Sequence, residues 1–173
     1  MRSHINLNLH DDEADTESQA DLCQIYLDRK QWLLAQEFAS KALEYTNPLH
    51  AQSIKFYCIL MQAFYMEDKI NEADICFTKA LEILDHHWGP FHPLHINIYS
   101  IMAQLLIYKN KYEDAGYLYK ASLLCCMRIL GPNHIQTGEV HMDYGKLYLL
   151  RKKKMDSLQH FMEAYLIYEA YFG

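Results

Sequence analysis

The sequence predicts an all-α fold, a solenoid of about four antiparallel helix pairs, and three observations lead to that prediction. Apolar residues recur three and four positions apart, which is typical of half-buried helices. Hydrophobic residues make up 51% of the 173 residues, while 6 Gly and 4 Pro leave few turns for a β fold. Small residues recur at separations of 38, 42 and 42 residues in two columns, which are Ala35, Ala73, Ala115, Ser157 and Ala42, Ala80, Ser122, Ala164. Such periods indicate stacked helix pairs that share one core.

One repeat is clearest between Ile96 and Pro132. Its first half places Tyr99, Met102 and Leu106 on one helical face, and its second half continues with Ala115 and Tyr119. The small residues allow two helix backbones to approach closely, and the aromatic rings fill the space beside them. We therefore expect two antiparallel helices joined by a tight turn.

The remaining elements follow in order along the chain. We expect a polar, mobile lead-in over residues 1–14 and a repeat domain over 15–173, with units at about 15–46, 49–88, 94–131 and 136–173. Helices are expected at about 16–29, 31–45, 50–67, 69–86, 136–151 and 154–171, besides the pair within 96–132. The last residues match the start of an earlier linker, so we also expect a chain truncated at its C-terminus.

Composition narrows the possible functions. A formal net charge of −6 and a pI near 5.9 argue against a dedicated nucleic-acid binder, which usually carries a basic stripe. No apolar run approaches the roughly 20 residues that a membrane span requires. Five cysteines, an odd number without C-x-x-C spacing, argue against a disulfide framework. We expect a cytoplasmic protein.

Two clusters of residues are candidates for a chemical or binding role. The histidines 86, 87, 92 and 95 lie within ten residues, but no matching cysteine or carboxylate motif accompanies them, so we predict no metal site. The basic run 151–154 lies at a predicted turn and is either solvated or in contact with an acidic protein, a lipid head group or RNA phosphate. No phosphate-binding loop, metalloprotease motif or nucleophile elbow is present, so we predict neither an enzyme nor a cofactor.

The segment Leu118–Leu123 reads LYKASL, and Ile129–His134 reads ILGPNH. With the small-residue columns and the 42-residue period, these segments resemble the tetratricopeptide repeat, specifically its kinesin-light-chain type. The resemblance implies a right-handed superhelix whose first helices line a concave groove for helices or extended peptides. It implies fold more strongly than function, because this repeat serves many unrelated scaffolds.

By this resemblance, one set of residues would line the partner-binding groove: Gln24, Lys55, Ile59, Gln62, Tyr65, Met66, Ile101, Gln104, Ile107, Tyr108, Met142, Lys146 and Leu149. The asparagine pairs with which kinesin light chains clamp a peptide are replaced by Cys58-Ile59 and Ser100-Ile101. Two hypotheses remain open. The chain is a protein-interaction scaffold that belongs to a larger assembly, or it is an adaptor with a reversible peptide groove.

Overall fold

The structure, a computed structural model, describes residues 9–47 and 49–173. These residues form eight α-helices and no β-strand, so the all-α prediction is confirmed. The helices are α1 (Leu9–Asp28), α2 (Trp32–Tyr45), α3 (Ser53–Met66), α4 (Ile70–Trp88), α5 (Pro93–Tyr108), α6 (Tyr112–Ile129), α7 (Ile135–Leu150) and α8 (Lys154–Phe172). We call α5–α6 the third repeat and α7–α8 the fourth repeat.

The chain divides into two compact units, Met1–Ile83 and Leu84–Gly173. Within the first unit, α2 packs against both α1 and α3. Within the second unit, α5 packs on α6, α6 on α7, and α7 on α8. All eight residues of the two small-residue columns are buried, so the repeat register read from the sequence is confirmed.

The turns inside the helix pairs are built alike. In the fourth repeat, the amide of Lys153 donates to the Tyr148 carbonyl at 2.9 Å and that of Lys152 to the Leu149 carbonyl at 3.0 Å. This pair of bonds is a Schellman motif, which satisfies the last carbonyls of a helix and needs a left-handed residue. The left-handed residues of the four turns have φ between 59° and 63° and are Lys30, Asp68, Asn110 and Lys152.

The linkers that join one pair to the next also repeat. Gly89 and Gly131 have φ of 76° and 92°, values that glycine adopts without a steric cost. Three residues later, the Nδ1 atoms of His92 and His134 accept from the amides of Leu94 and Gln136 at 3.3 and 3.2 Å. These histidines therefore cap the first turns of α5 and α7.

Helix α7 lies unusually close to α8. A Cβ atom added to Gly145 would lie 2.6 Å from the ring of Phe161, a distance that a side chain cannot tolerate without movement of that ring. The Ser157 hydroxyl donates to the Gly145 carbonyl at 2.9 Å, so the approach is also held by a buried hydrogen bond. The absence of a side chain at Gly145 is what permits this packing.

One boundary differs from the sequence prediction. Helix α1 begins at Leu9, whereas we expected the first helix to begin near residue 16. The sequence between these positions is acidic, and acidic residues are favourable in the first turns of a helix. Residues 1–8 of the expected lead-in and Pro48 of the first break lie outside the described residues, and the division of the chain into domains stays a prediction.

Candidate functional site

The histidine cluster near the start of α5 has structural roles. His95 is 2% exposed, and its Nε2 lies 2.9 Å from an Asp85 carboxylate oxygen. The His92 ring caps α5 and stacks on Trp88 with 4.7 Å between the ring centroids. In the described part of the chain, no group of three or more His, Cys, Asp or Glu side chains could hold a metal ion. Hydrogen bonding and packing therefore account for His92 and His95.

The basic run lies at the turn between α7 and α8, as the sequence predicts. Its first member, Arg151, is largely buried and forms an ion pair with Glu113 at the start of α6. The other three, Lys152, Lys153 and Lys154, are exposed. Arg151 thus ties the third repeat to the fourth, and only the lysines remain available for an acidic partner.

In the first unit, two residues assigned to the groove are buried. Ile59 is 4% exposed and Tyr65 is fully buried, so neither lines an accessible surface, and these two assignments are wrong. The reason is that α3 packs against both α1 and α2, which buries more than one face of the helix. An apolar stripe in the sequence identifies one buried face of a helix but does not reveal a second buried face.

The other first-unit residues of that set are accessible but engaged. Lys55 forms an ion pair with Glu17 of α1. The amide groups of Gln24 and Gln62 donate within their own helices, to the Asp28 carboxylate and the Cys58 carbonyl, at 3.0 and 3.2 Å. Met66 is half-buried. This surface would have to exchange internal hydrogen bonds for those of a ligand.

In the second unit, every residue assigned to the groove remains at least partly accessible. Tyr108 and Leu149 are 62% and 54% exposed, Gln104 and Lys146 are exposed, and the half-buried members are Ile101, Ile107 and Met142. A polar chain connects α5 to α7, because Gln104 Nε2 donates to Asp143 at 3.4 Å and Lys146 Nζ to Asp143 at 2.8 Å.

Asp143 was missed by the sequence reasoning. Its position three residues before Lys146 on one helix was the available signal, since such pairs face each other. The carboxylate accepts from both Gln104 and Lys146. Gln104 and Lys146, which occupy equivalent positions 42 residues apart, thus meet at one acidic side chain.

Helix α8 carries an exposed apolar surface that we call the α8 apolar face, formed by Leu158, Tyr165 and Phe172. These side chains are 52%, 61% and 73% exposed. Their counterparts 42 residues earlier, on α6 and at its C-cap, are buried or half-buried, and they are Gly116, Leu123 and Leu130. Helix α7 packs on α6, where the Leu147 side chain lies 3.7 Å from a Cβ position on Gly116. The same repeat positions are therefore covered on α6 and open on α8.

A second feature of the fourth repeat is a histidine pair. The Nδ1 atoms of His141 on α7 and His160 on α8 lie 2.9 Å apart, beside a cavity of about 340 Å³. Burial lowers the pKa of both imidazoles, although the Glu163 carboxylate acts in the opposite direction on each. Both rings are therefore neutral near pH 7. No pattern in the sequence indicates this pair, since its members lie on different helices.

The cysteines are free thiols. All five lie in helices, and four of them are buried. Burial raises the pKa of the Cys58 thiol to about 12 and that of Cys76 to about 11, so the thiolate, which is the nucleophilic form, is suppressed in both. They act as small apolar residues of the core. Separately, no helix among the described residues is long and apolar enough to cross a membrane.

Residues 94–170, most of the second unit, match the family model of the tetratricopeptide repeat. No curated protein matches the sequence. Sixty-three solved protein chains are similar in structure. The prediction from the sequence is confirmed in that residues 94–170 match the tetratricopeptide repeat and the chain has an all-α helical repeat fold.

Three of the similar structures illustrate the match. BtubC (BKLC) from P. vanneervenii is 16% identical with a TM-score of 0.77, over 100% of this chain and 68% of that one. A Podosopora anserina protein assigned as a kinesin light chain, with nearly identical TPR-like repeats, is 14% identical with a TM-score of 0.72, over 98% and 80%. PilF from Pseudomonas aeruginosa is 18% identical with a TM-score of 0.66, over 90% and 62%. At these identities the similarity concerns the fold.

Proposed function

We propose that this chain is a non-enzymatic scaffold for protein–protein interaction and a subunit or fragment of a larger assembly. The tetratricopeptide repeat is in general a module for protein interaction, which supports the broader part of this proposal. The exposure of the α8 apolar face supports the narrower part. A helix or an extended peptide of a protein partner is the ligand that this surface suits.

The physical argument rests on repeat register. On α6, the positions equivalent to Leu158 and Tyr165 are buried or half-buried, and α6 packs against the following helix. Each repeat adds its stability through such contacts. Fully burying a large apolar side chain is worth about 1.5–3 kcal/mol, so an open α8 apolar face leaves a substantial gain unrealised. Contiguous exposed apolar patches mark interaction surfaces in proteins.

Other features are consistent with this role. The net charge of −6 does not favour nucleic acid as a partner. A catalytic or metal-binding role would require His92 and His95 to be available for other ligands. His92 instead caps helix α5, and His95 pairs with Asp85. Five free cysteines suit a reducing compartment, and we place the protein in the cytoplasm.

A second candidate function is a reversible adaptor that binds peptides on the groove residues of the second unit. The observation that favours it is the accessible row on α5 and α7, where Tyr108 and Leu149 flank the polar chain through Asp143. Its carboxylate and amide groups could bind the main chain of an extended peptide.

Site-specific photo-crosslinking discriminates between the two functions. A benzophenone amino acid replaces Leu158 in one variant and Tyr108 in another, positions that are 52% and 62% exposed. Ile75, at 56%, provides the matched control. The scaffold predicts a discrete protein adduct from position 158 and none from position 75. Adducts from position 108 alone would favour the adaptor and contradict the assembly proposal.

A further inference from the structure

We propose that His141 and His160 form a binding site for a divalent transition-metal ion, held between α7 and α8 by their two Nδ1 atoms. The site is separate from the proposed protein-binding surfaces and does not depend on them. Imidazole nitrogen is a preferred ligand of Zn²⁺, Cu²⁺ and Ni²⁺.

The distance between the donor atoms fits this chemistry. The two Nδ1 atoms are 2.9 Å apart. Two metal–nitrogen bonds of about 2.0 Å at a right angle separate the nitrogens by about 2.8 Å, and a tetrahedral angle separates them by about 3.3 Å. The observed distance matches the first geometry closely, and a small rotation of either ring would reach the second.

The protonation state of the pair also permits binding. A metal ligand must be a neutral imidazole, and burial lowers the pKa of both His141 and His160. Each neutral ring carries one proton, which can reside on Nε2 and leave the Nδ1 lone pair free. Metal binding then requires a change of tautomer in the ring that donates the present hydrogen bond, and a rotation of the rings that turns both Nδ1 lone pairs toward the metal ion.

The surroundings hold the rings and leave room for further ligands. His160 stacks on Tyr148 with centroids 5.3 Å apart and contacts Tyr144 at 4.5 Å, which limits rotation of its ring. The adjoining cavity of about 340 Å³ is lined by Glu163, Gln159 and Thr137 among others, and is large enough for water ligands. Glu163 adds negative charge close to the pair.

The test is a titration of the untagged, full-length chain with Ni²⁺, followed by calorimetry. His141→Gln and His160→Gln are the informative variants, because glutamine keeps a hydrogen-bonding group but is a poor ligand for this metal. The matched control replaces the exposed neighbours His86 and His87 with glutamine in one protein. Circular dichroism confirms that each variant is folded.

We expect one Ni²⁺ ion per chain with a dissociation constant below about 100 μM, weakened at least tenfold in either single variant and unchanged in the control. Saturating Ni²⁺ should also raise the melting midpoint of the wild-type chain and of the control by about 3 °C or more, but not that of the variants. Equal binding by wild type and both single variants, or loss of binding only in the control, would overturn the proposal.

Discussion

The third and fourth repeats share one backbone pattern but differ in what covers them. Their internal turns have the same pattern of hydrogen bonds, and each turn has a left-handed residue at the same position, which is Asn110 in the third repeat and Lys152 in the fourth. The second helix of the third repeat, α6, is covered by α7, whereas the α8 apolar face is exposed. The two repeats therefore have the same turn geometry but differ in how exposed their second helices are, so folding and binding depend on different residues. Turns and small residues specify the fold, and the outward side chains of α8 form the surface that we propose binds a partner.

The two repeats also differ inside. The third has Ala103 where the fourth has Gly145, and Tyr99 and Leu118 where the fourth has His141 and His160. The fourth repeat therefore has a pair of imidazoles where the third has a tyrosine and a leucine, and its two helices approach closely at a glycine. These substitutions suggest experiments that test each difference separately.

The largest effect is expected at Gly145. Alanine normally stabilises a helix interior by about 0.5–1 kcal/mol relative to glycine. At this position the new Cβ would lie 2.6 Å from the Phe161 ring, so we expect Gly145→Ala to destabilise the protein by about 1–3 kcal/mol through overpacking. Urea unfolding monitored by circular dichroism measures this change.

Gly116→Ala on α6 is the matched control. Its Cβ would meet its nearest neighbour, Arg151, at an ordinary 3.5 Å, so the helix preference should dominate and the variant should gain about 0.5–1 kcal/mol. If both variants move stability in the same direction, the close approach of α7 and α8 is not a packing constraint.

The left-handed turn residues predict a smaller effect. Lysine in this conformation carries a steric cost of about 1–2 kcal/mol, which glycine avoids and asparagine partly avoids. Because glycine also loses more entropy on folding, we expect Lys152→Gly to gain about 0.5–1 kcal/mol and Asn110→Gly only a few tenths. Thermal melts of both variants provide the comparison, and a larger gain at Asn110 would contradict it.

The smallest effect is a dependence of stability on pH. Burial lowers the pKa of His141 and His160 in the folded chain, so the unfolded chain takes up protons first as the pH falls through about 6.5. The contribution of these two histidines to the free energy of unfolding is complete above that pH and declines below it. Glu163 and Asp156 on α8 oppose the shift, and Tyr144 and Tyr148 are the titratable rings in contact from α7.

Exchanging the pair for its third-repeat counterparts tests this dependence. The double variant His141→Tyr, His160→Leu should lose less stability than the wild type between pH 7 and pH 5, as measured by melting midpoints across that range. Identical pH profiles for the two proteins would show that other groups control the acid sensitivity.

The fold could be predicted from the sequence because every repeat has the same helical pattern and the same small residues at equivalent positions. Ala115 and Ser157 are buried where the register places them, and five of the six helices whose individual bounds were predicted agree with the prediction within three residues at either end. The start of α1 was missed because an acidic segment without an apolar stripe gives no periodic signal, although it suits a helix N-terminus.

The candidate site was less predictable, since it depends on which helices meet. Ile59 and Tyr65 were assigned to a surface and are buried, because α3 is covered on more than one side. His141 and His160 are 19 residues apart and converge only through the packing of α7 on α8. The openness of the α8 apolar face is likewise a tertiary property, which Leu158 and Tyr165 do not reveal by their identity alone.

Sedimentation velocity of the purified chain tests the central claim most directly, that the α8 apolar face is an association surface. We predict a weight-average mass that rises above the 20.5 kDa monomer as the concentration increases from about 1 to 100 μM. The double variant Leu158→Asp, Tyr165→Asp should remain at the monomer mass. Ile75→Asp, changed at a position of matching exposure, should associate like the wild type. A wild-type chain that stays monomeric throughout, or association that persists in the double variant, would contradict the account.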